Sequence, residues 1–169
     1  ENNWWQVKRY KYMSGLFVWS GFDFLGEPVP YPYPARSSYY GIIDMAGFPK
    51  DVYYMYQSEW TEKPVLHVYP HWNLAKGGIG WKPGQNVDVK AYYNNADEVE
   101  LFLNGRSLGR KTKIDTAFHV LWRVPYEPGE LKAVSYKNNK KVLEKIVRAS
   151  GDAYKLELSV EHKIIDSKK

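Results

Sequence analysis

Asp23 and Glu27 form the close carboxylate pair of the aromatic-rich N-terminal part of the sequence. Paired carboxyl groups carry out glycoside hydrolysis, and in retaining enzymes they lie about 5–5.5 Å apart. Four residues of extended chain span ~13 Å, so these two carboxyl groups meet only if the loop folds back. We therefore expect Asp23 and Glu27 to hold the loop or to contact a substrate rather than to carry the reaction.

Trp19 is a second candidate because it ends the apolar run Leu16–Trp19, which is bounded by Gly15 and Gly21. Such a run is typical of a strand buried on both faces, as in a parallel sheet. Barrel enzymes collect their active-site residues at the C-terminal ends of these strands. An exposed indole at that position would stack on a sugar ring, whereas the alternative is a tryptophan of the core.

His67 and His71 have the spacing of a metal-binding pair on a helix. Pro70 lies between them and residues 65–69 are typical of a strand, so the helical geometry is not available. We expect hydrogen-bonded polar residues at a domain junction here, and neither a metal nor a cofactor anywhere in the chain.

The glycine-rich stretch 77–80 lacks the Lys-Ser/Thr of a phosphate-binding loop and is interpreted as a flexible loop. Four basic residues nearer the C-terminus could contact phosphates, but acidic residues lie close to them in the sequence: Arg106, Arg110, Lys111 and Lys113. We interpret this group as a solvated face and expect no nucleic-acid partner. No apolar run approaches the ~18 residues of a membrane span, so no membrane partner is expected either.

Composition divides the 169 residues near residue 62. Residues 1–60 carry 17 of the 28 aromatic residues, with five Lys/Arg against six Asp/Glu. Residues 61–169 carry 11 aromatic residues, with 19 Lys/Arg against 13 Asp/Glu. With 44% apolar residues and no Cys, the chain is neither disordered nor stapled by disulfides, and it has no Cys-ligated metal site.

The first part is predicted to contain a strand, a stiff loop and a helix. The strand is the run 16–19, and alternating prolines at positions 28–34 exclude helix and central strand from the loop. Pro49 is expected to begin a helix, with Asp51 in its first turn and one apolar face formed by Val52, Met55, Tyr56 and Trp60.

The second part is predicted to be all β. Period-two alternation marks strands at residues 86–92, 98–103, 118–124, 131–136 and 141–147, and residues 65–69 and the tail 154–160 are interpreted as strands too. Asn104-Gly105 is a strong hairpin signal, and Pro128-Gly129 and Asn138-Asn139 separate further strands. Short strands at this spacing predict a β-sandwich of the immunoglobulin-like kind.

Residues 17–28 and 40–51 resemble the end of the catalytic (β/α)₈ barrel of glycoside hydrolase family 2, and most closely that of bacterial β-galactosidases. Residues 65–73 and 94–105 resemble the immunoglobulin-like domain that follows the barrel. The resemblance covers residues 4–165 and implies three parts: a barrel remnant (1–62), a sandwich (63–150), and a linker with the first strand of a further sandwich module (151–169). It places the eighth barrel strand at 16–19, the eighth helix at 51–60 and the end of the seventh helix at 4–12.

This resemblance implies an enzyme that removes terminal β-linked sugars with retention, using a Glu acid/base on the fourth strand and a Glu nucleophile on the seventh. Both would lie upstream of Glu1, so we expect no catalytic residue in this chain and no turnover by it alone. Trp19 matches an aromatic residue that lines the sugar pocket, and Asp23 and Glu27 are carried over as substrate-binding candidates. Ser20 departs from the family's best-known bacterial member, which has an acidic residue there.

A non-catalytic carbohydrate-binding or structural sandwich module is the alternative, since exposed Tyr and Trp also suit sugar stacking. The expected partner of the parent enzyme is its carbohydrate substrate. Residues 1–60 would leave apolar surface exposed, so we expect them to pack on the sandwich or to pair with another copy of the chain. The multi-module resemblance suggests a periplasmic or secreted location.

Overall fold

The computed structural model describes residues 2–28, 30–75, 80–114, 116–151 and 155–160. This part of the chain is mainly β, with antiparallel sheets and two helices. The helices are α1 (Asn2–Arg9) and α2 (Asp51–Trp60). The strands are β1 (Phe24–Leu25), β2 (Ser37–Ser38), β3 (Leu66–Tyr69), β4 (Asn86–Tyr93), β5 (Glu98–Leu103), β6 (Arg106–Lys111), β7 (His119–Pro125), β8 (Glu130–Lys137) and β9 (Lys140–Arg148). Neither helix is long and apolar enough to cross a membrane.

Seven strands form two sheets, of order β3-β4-β7 and β6-β5-β8-β9. Both sheets contribute to one core, because period-two alternation sends every second side chain inward. The fully buried members include Val89 on β4, Leu101 on β5 and Leu131 on β8. The predicted strands at 86–92, 98–103, 118–124, 131–136 and 141–147 are therefore confirmed to within one or two residues at their ends.

Two tight hairpins fix the register of the four-stranded sheet. Asn104 and Gly105 join β5 to β6 with φ values of 50° and 81°, and Asn138 and Asn139 join β8 to β9 with φ values of 50° and 61°. Positive φ at both central residues is the type I′ geometry that matches the twist of a hairpin, and Asn and Gly adopt it at the lowest cost.

Both helices pack on the sandwich through a second, smaller cluster. Met55 of α2 is fully buried with Tyr92 of β4 and Phe118, and Trp4 and Trp5 of α1 pack against the same cluster. The expectation that the N-terminal part packs on the sandwich is confirmed for these two helices. Pairing with a second copy of the chain stays a prediction.

Glu59 ties three elements together at this junction. Its side chain is 8% exposed, and its Oε2 accepts hydrogen bonds from Lys8 Nζ at 2.8 Å and Trp4 Nε1 at 3.1 Å, both from α1. Lys113, on the segment after β6, places its Nζ 3.8 Å from Glu59 Oε1 and donates to the carbonyl of Tyr93 at 2.9 Å. One carboxylate thus links α1, α2 and the sandwich.

Residues 10–50, which we name the arm, differ from the prediction in two places. Residues 16–19 lie in no strand, because a strand is defined by backbone hydrogen bonds to a neighbour and the described residues provide none for this run. Phe17 in it is fully exposed. Helix α2 begins at Asp51 rather than at Pro49, because Pro49 instead forms a β-bridge with Ile43 and Lys50 occupies the N-cap position.

The C-terminal tail differs as well. Residues 155–160 contain no strand, and Leu156 and Leu158 are each 88% exposed because no strand in the described part of the chain pairs with this segment. Tyr154 and residues 161–169, which complete the predicted strand and the predicted further module, lie outside the described residues.

Candidate functional site

The arm is built on a backbone crossing between residues 20–23 and 40–43. Gly21 O accepts from Ile43 N at 3.0 Å, and Asp23 N donates to Ile43 O at 2.9 Å. Gly41 sits in the crossing, where a Cβ atom would overlap the backbone of Phe22 and Asp23, so only glycine fits this close approach. The crossing brings together two segments whose sequences individually show no strand pattern.

Asp23 fastens this crossing with its side chain. The residue is 8% exposed, and its Oδ1 accepts from Gly41 N at 2.8 Å and from Lys50 Nζ at 2.6 Å. Lys50 Nζ also donates to Tyr39 O at 3.1 Å. A buried carboxylate that is paired and hydrogen-bonded in this way serves to hold the backbone. From the sequence, Asp23 was expected either to hold the loop or to contact a substrate. The contacts of its carboxylate in the structure are those of a residue that holds the loop.

Glu27 lies in a different environment. It is exposed and has a φ of 45°, next to Gly26 with a φ of 92°. Gly26 N donates to Arg36 O at 2.8 Å and closes the base of the loop formed by residues 26–36. The structure therefore puts Asp23 inside an ion pair and Glu27 on the surface of a turn, so the two do not act as a matched pair of carboxyl groups.

Trp19 presents an open ring. It is 75% exposed, and its only ring contact among the described residues is with Phe24, whose centroid lies 6.3 Å away at an interplanar angle of 83°. Phe24 is in β1 and pairs with Ser38 of β2, so the indole contacts a residue of the β1–β2 pair while most of its surface stays accessible. An accessible indole face on a fixed support is suited to stacking on the apolar face of a sugar.

A shallow, open groove of about 480 Å³ lies on the loop of the arm and was not found from the sequence. It is lined by tyrosines and prolines, namely Tyr31, Pro32, Tyr33, Pro34, Ala35 and Tyr39. In the sequence, the alternation of Tyr and Pro indicated a stiff extended loop, but it did not indicate that the loop would form a groove.

His67 and His71 lie in different environments. His67 Nε2 is 2.8 Å from Asp51 Oδ1, and its ring stacks on Tyr54 with centroids 3.8 Å apart. His71 stacks on Trp81 at 5.7 Å. The hydrogen-bonded junction predicted for this region is confirmed for His67, and within the described ranges no three His, Cys, Asp or Glu residues gather as a metal site would require.

The basic residues of the sandwich are mostly paired. Arg110 lies 2.6 Å from Glu98 and 3.1 Å from Glu100, over the ring of Tyr136 at 3.9 Å. The Ser107 hydroxyl, followed by Arg110, holds the pKa of the Glu100 carboxyl below its usual value of 4.5. Lys113 differs because burial lowers the pKa of its ammonium, an effect that Glu59 partly offsets.

Comparison with known proteins finds one family model and several relatives that match this chain. Residues 84–143 match the family described as "Domain of unknown function (DUF4982)". The chain is 52% identical over 159 residues to a protein named Beta-galactosidase BoGH2A from Bacteroides ovatus, a match that covers 94% of this chain and 18% of that relative. It is 44% identical over 162 residues to a putative beta-glucuronidase from Formosa agariphila, covering 92% of this chain and 15% of that relative.

A solved structure of a glycoside hydrolase is also similar to this chain. A glycosyl hydrolase family 2 (GH2) member from Bacteroides cellulosilyticus superposes with a TM-score of 0.73 at 28% identity, covering 94% of this chain and 24% of that one. The chain is homologous to part of a glycoside hydrolase family 2 enzyme. The family that residues 17–28 and 40–51 indicated is thereby confirmed.

The matches cover only a small part of each relative. The chain spans 18% and 15% of the length of the two relatives. The relatives carry different sugar names, a β-galactosidase and a putative β-glucuronidase. The arm and the sandwich both fall within the matched region, since 94% of the chain is aligned with the family 2 relative from B. ovatus.

Proposed function

We propose that this chain is part of a retaining glycoside hydrolase of the β-galactosidase-like kind, which cleaves terminal β-linked sugars from oligosaccharides. In this proposal residues 1–62 are the remnant of a barrel domain and residues 63–150 an immunoglobulin-like sandwich that braces it. The two catalytic carboxylates lie upstream of Glu1, and the reaction proceeds by double displacement through an oxocarbenium-like transition state.

The observation that carries the proposal is the open indole of Trp19 on a fixed frame. Its ring is 75% exposed, and the crossing beneath it is fastened by the 2.6 Å ion pair between Asp23 and Lys50. A rigid exposed aromatic surface costs little entropy when a ligand binds. Trp19 therefore stacks on the sugar, Asp23 keeps Trp19 in place, and Glu27 is free to accept a hydrogen bond from a sugar hydroxyl.

We favour a galactoside over a glucuronide as the substrate, because the β-galactosidase from B. ovatus is 52% identical to this chain and the putative β-glucuronidase is 44% identical. The charges of the arm do not decide between the two sugars. The ammonium of Lys50 is committed to Asp23 and to the carbonyl of Tyr39, whereas the guanidinium of Arg36 is exposed and lies 5.8 Å from the ring centroid of Tyr33.

The test is hydrolysis by the full-length protein that contains this chain, with p-nitrophenyl β-D-galactoside and p-nitrophenyl β-D-glucuronide as substrates. We expect the galactoside to be cleaved and Trp19→Ala to lower kcat/KM by about tenfold or more, because a stacking surface is lost. Tyr12→Ala is the matched control, since Tyr12 is 80% exposed and lies before the apolar run. Cleavage of neither substrate would refute the proposed activity, and an unaffected Trp19→Ala variant would refute the role of Trp19.

A second measurement concerns the 169-residue chain by itself. We expect no turnover of the galactoside, because the proposal assigns both carboxylates to residues outside this chain. Activity that persists through further purification would contradict that assignment.

A further inference from the structure

The start of helix α2 is attached to the crossing of the arm. Lys50 occupies the N-cap position of this helix. Its backbone N donates to Ile42 O at 2.9 Å, and its Nζ donates to Asp23 Oδ1 at 2.6 Å. One residue earlier, Pro49 forms a β-bridge with Ile43. The position of the crossing is therefore tied to the position of the first turn of α2.

The crossing in turn holds the backbone next to Trp19. Ser20 follows Trp19 directly, and its backbone N donates to Tyr40 O at 3.2 Å, while its carbonyl accepts from Ile42 N at 3.1 Å. The Ser20 hydroxyl also donates to Phe22 O at 2.7 Å. The indole thus projects from a backbone whose neighbouring residue is fixed by the crossing, so a shift of the crossing moves the ring.

The sandwich holds the same turn of α2 from its other side. Asp51 follows Lys50 directly, and its Oδ1 lies 2.8 Å from His67 Nε2. A carboxylate only accepts hydrogen bonds, so His67 Nε2 is the donor. The His67 side chain is 14% exposed, and its ring lies against that of Tyr54, with centroids 3.8 Å apart and an interplanar angle of 8°. His67 therefore contacts two residues of α2 that lie one turn apart.

His67 has a firm base in the sandwich. Its neighbours on β3, Leu66 and Val68, belong to the buried core, so the strand itself is held by packing. The opposite end of α2 is attached too, because the amide of Asn94, directly after β4, donates to Thr61 O at 2.8 Å. With both ends fastened to the three-stranded sheet, α2 does not shift unless one of these contacts breaks.

We propose that His67 is a positioning residue for the sugar site: it fixes Asp51, and Lys50 next to Asp51 holds the crossing that carries Trp19. This inference rests on the proposed function and adds to it a residue of the sandwich that determines how tightly the sugar binds. The route consists of one side-chain hydrogen bond, one peptide bond and the hydrogen bonds of the crossing. Displacing a binding group by ~1 Å can cost up to about 100-fold in rate, so a small shift of α2 is enough.

The test is a double-mutant cycle in the full-length protein, with whichever of the two p-nitrophenyl glycosides it cleaves. His67→Ala should raise KM by about three- to tenfold and keep kcat within about twofold, because the stacking surface is displaced equally for substrate and transition state. In the Trp19→Ala background, His67→Ala should change KM by less than about twofold, because the surface that it positions is gone. Equal losses in both backgrounds would indicate a merely structural role and overturn the proposal.

Three further variants isolate the hydrogen bond. His67→Gln keeps a donor near the position of Nε2 and should keep KM within about twofold of the unchanged protein. Asp51→Ala removes the acceptor at a side chain that is 54% exposed, so it tests the link even if His67→Ala folds poorly, and it should raise KM as His67→Ala does. His71→Ala is the matched control, because His71 is exposed and stacks on Trp81. No rise for Asp51→Ala, or an equal rise for His71→Ala, would overturn the proposal.

Hydrogen exchange separates this inference from the proposed function. The amide of Gly41 donates to Asp23 Oδ1 at 2.8 Å and reports on the crossing. In the full-length protein it should exchange about threefold faster or more after His67→Ala and at an unchanged rate after His71→Ala. If neither glycoside is cleaved, the proposed function has failed, and this acceleration by itself would support the link from His67 to the crossing. An unchanged rate in His67→Ala would overturn the link whatever the activity.

Discussion

The arm and the sandwich of this chain are organised in opposite ways. In the sandwich, β5 alternates strictly and buries Val99, Leu101 and Leu103 at 1% exposure or less. In the described part of the arm the buried residues are Asp23, Ser37, Ser38 and Gly41, whereas the large apolar side chains are exposed, among them Phe17, Trp19, Leu25, Tyr33 and Phe48. The arm is thus polar inside and aromatic outside.

This inversion shows that the two regions are stabilised by different interactions. Burial of apolar area stabilises the sandwich and is non-directional. The arm depends on a few directed contacts, chiefly the Asp23 carboxylate with Lys50 and the backbone of Gly41. Its aromatic surface remains available for a ligand or for other parts of a longer protein, which is consistent with the proposed role at a sugar pocket.

The largest effect is expected in the sandwich core. Leu101 is fully buried, so Leu101→Ala should lower the free energy of unfolding by about 2–5 kcal/mol through lost transfer energy and a residual cavity. Denaturant titration of the chain measures this loss. Leu121→Ala is the control, because Leu121 on β7 is 37% exposed and should cost much less. Equal costs for the two variants would contradict the assignment of the core.

The next effect concerns the fastening of the arm. Asp23→Asn removes the charge that pairs with Lys50 and should cost about 1–3 kcal/mol, confined to the arm. Hydrogen exchange at the amide of Gly41 should accelerate by about tenfold or more, while the amide of Val99 in β5 stays protected. Asp88→Asn, at an exposed position 3.6 Å from Arg123, serves as the control. Loss of protection in both regions would show that arm and sandwich unfold together.

A smaller effect is expected where the two regions join. Glu59→Gln leaves Lys8 and Lys113 without their shared carboxylate and should destabilise the packing of α1 by about 1–2 kcal/mol, which Trp fluorescence in a denaturant titration would report. Glu62→Gln, an exposed neighbour, should have no comparable effect.

The same variant has a defined pH dependence. Burial lowers the pKa of Lys113 below its usual 10.5, so the folded state binds fewer protons than the unfolded state between those two values, and stability rises with pH in that window. Removing Glu59 lowers the pKa of Lys113 further, so the rise should begin at a lower pH. A rise that begins at the same pH in both proteins would mean that Glu59 does not act on Lys113.

The smallest effect lies on the outer face of the four-stranded sheet. Ser107→Ala removes the hydroxyl that donates to Glu100 Oε1 at 2.6 Å, so the pKa of Glu100 should rise toward 4.5. The carboxylate contributes stability above that value and loses it as the pH falls through the folded pKa. An NMR titration of the Glu100 carboxyl measures the shift, and an unchanged pKa would assign the effect to Arg110 and Tyr136.

The sequence predicted the sandwich well because its signals are local. Alternation within β5 and the residues Asn104-Gly105 determine a strand and its turn from about ten neighbouring positions. The arm was predicted poorly because its contacts are distant in the chain. The Asp23 carboxylate meets Lys50 across 27 residues and the amide of Gly41 across 18. The strand expected at 16–19 failed for a related reason, since apolar content alone does not supply a hydrogen-bonding neighbour.

The crossing at Gly41 determines where this protein tolerates change. A methyl group there would collide with the backbone of Phe22 and Asp23, so substitution at this position disrupts the crossing. The two ends of the loop between Gly26 and Arg36 are joined by the backbone hydrogen bond from Gly26 N to Arg36 O, in which no side chain takes part. Its tyrosines can therefore be exchanged without altering the scaffold, and insertions at its tip cost little. Evolution, or a designer of altered sugar preference, can vary residues 30–35 while the crossing stays fixed.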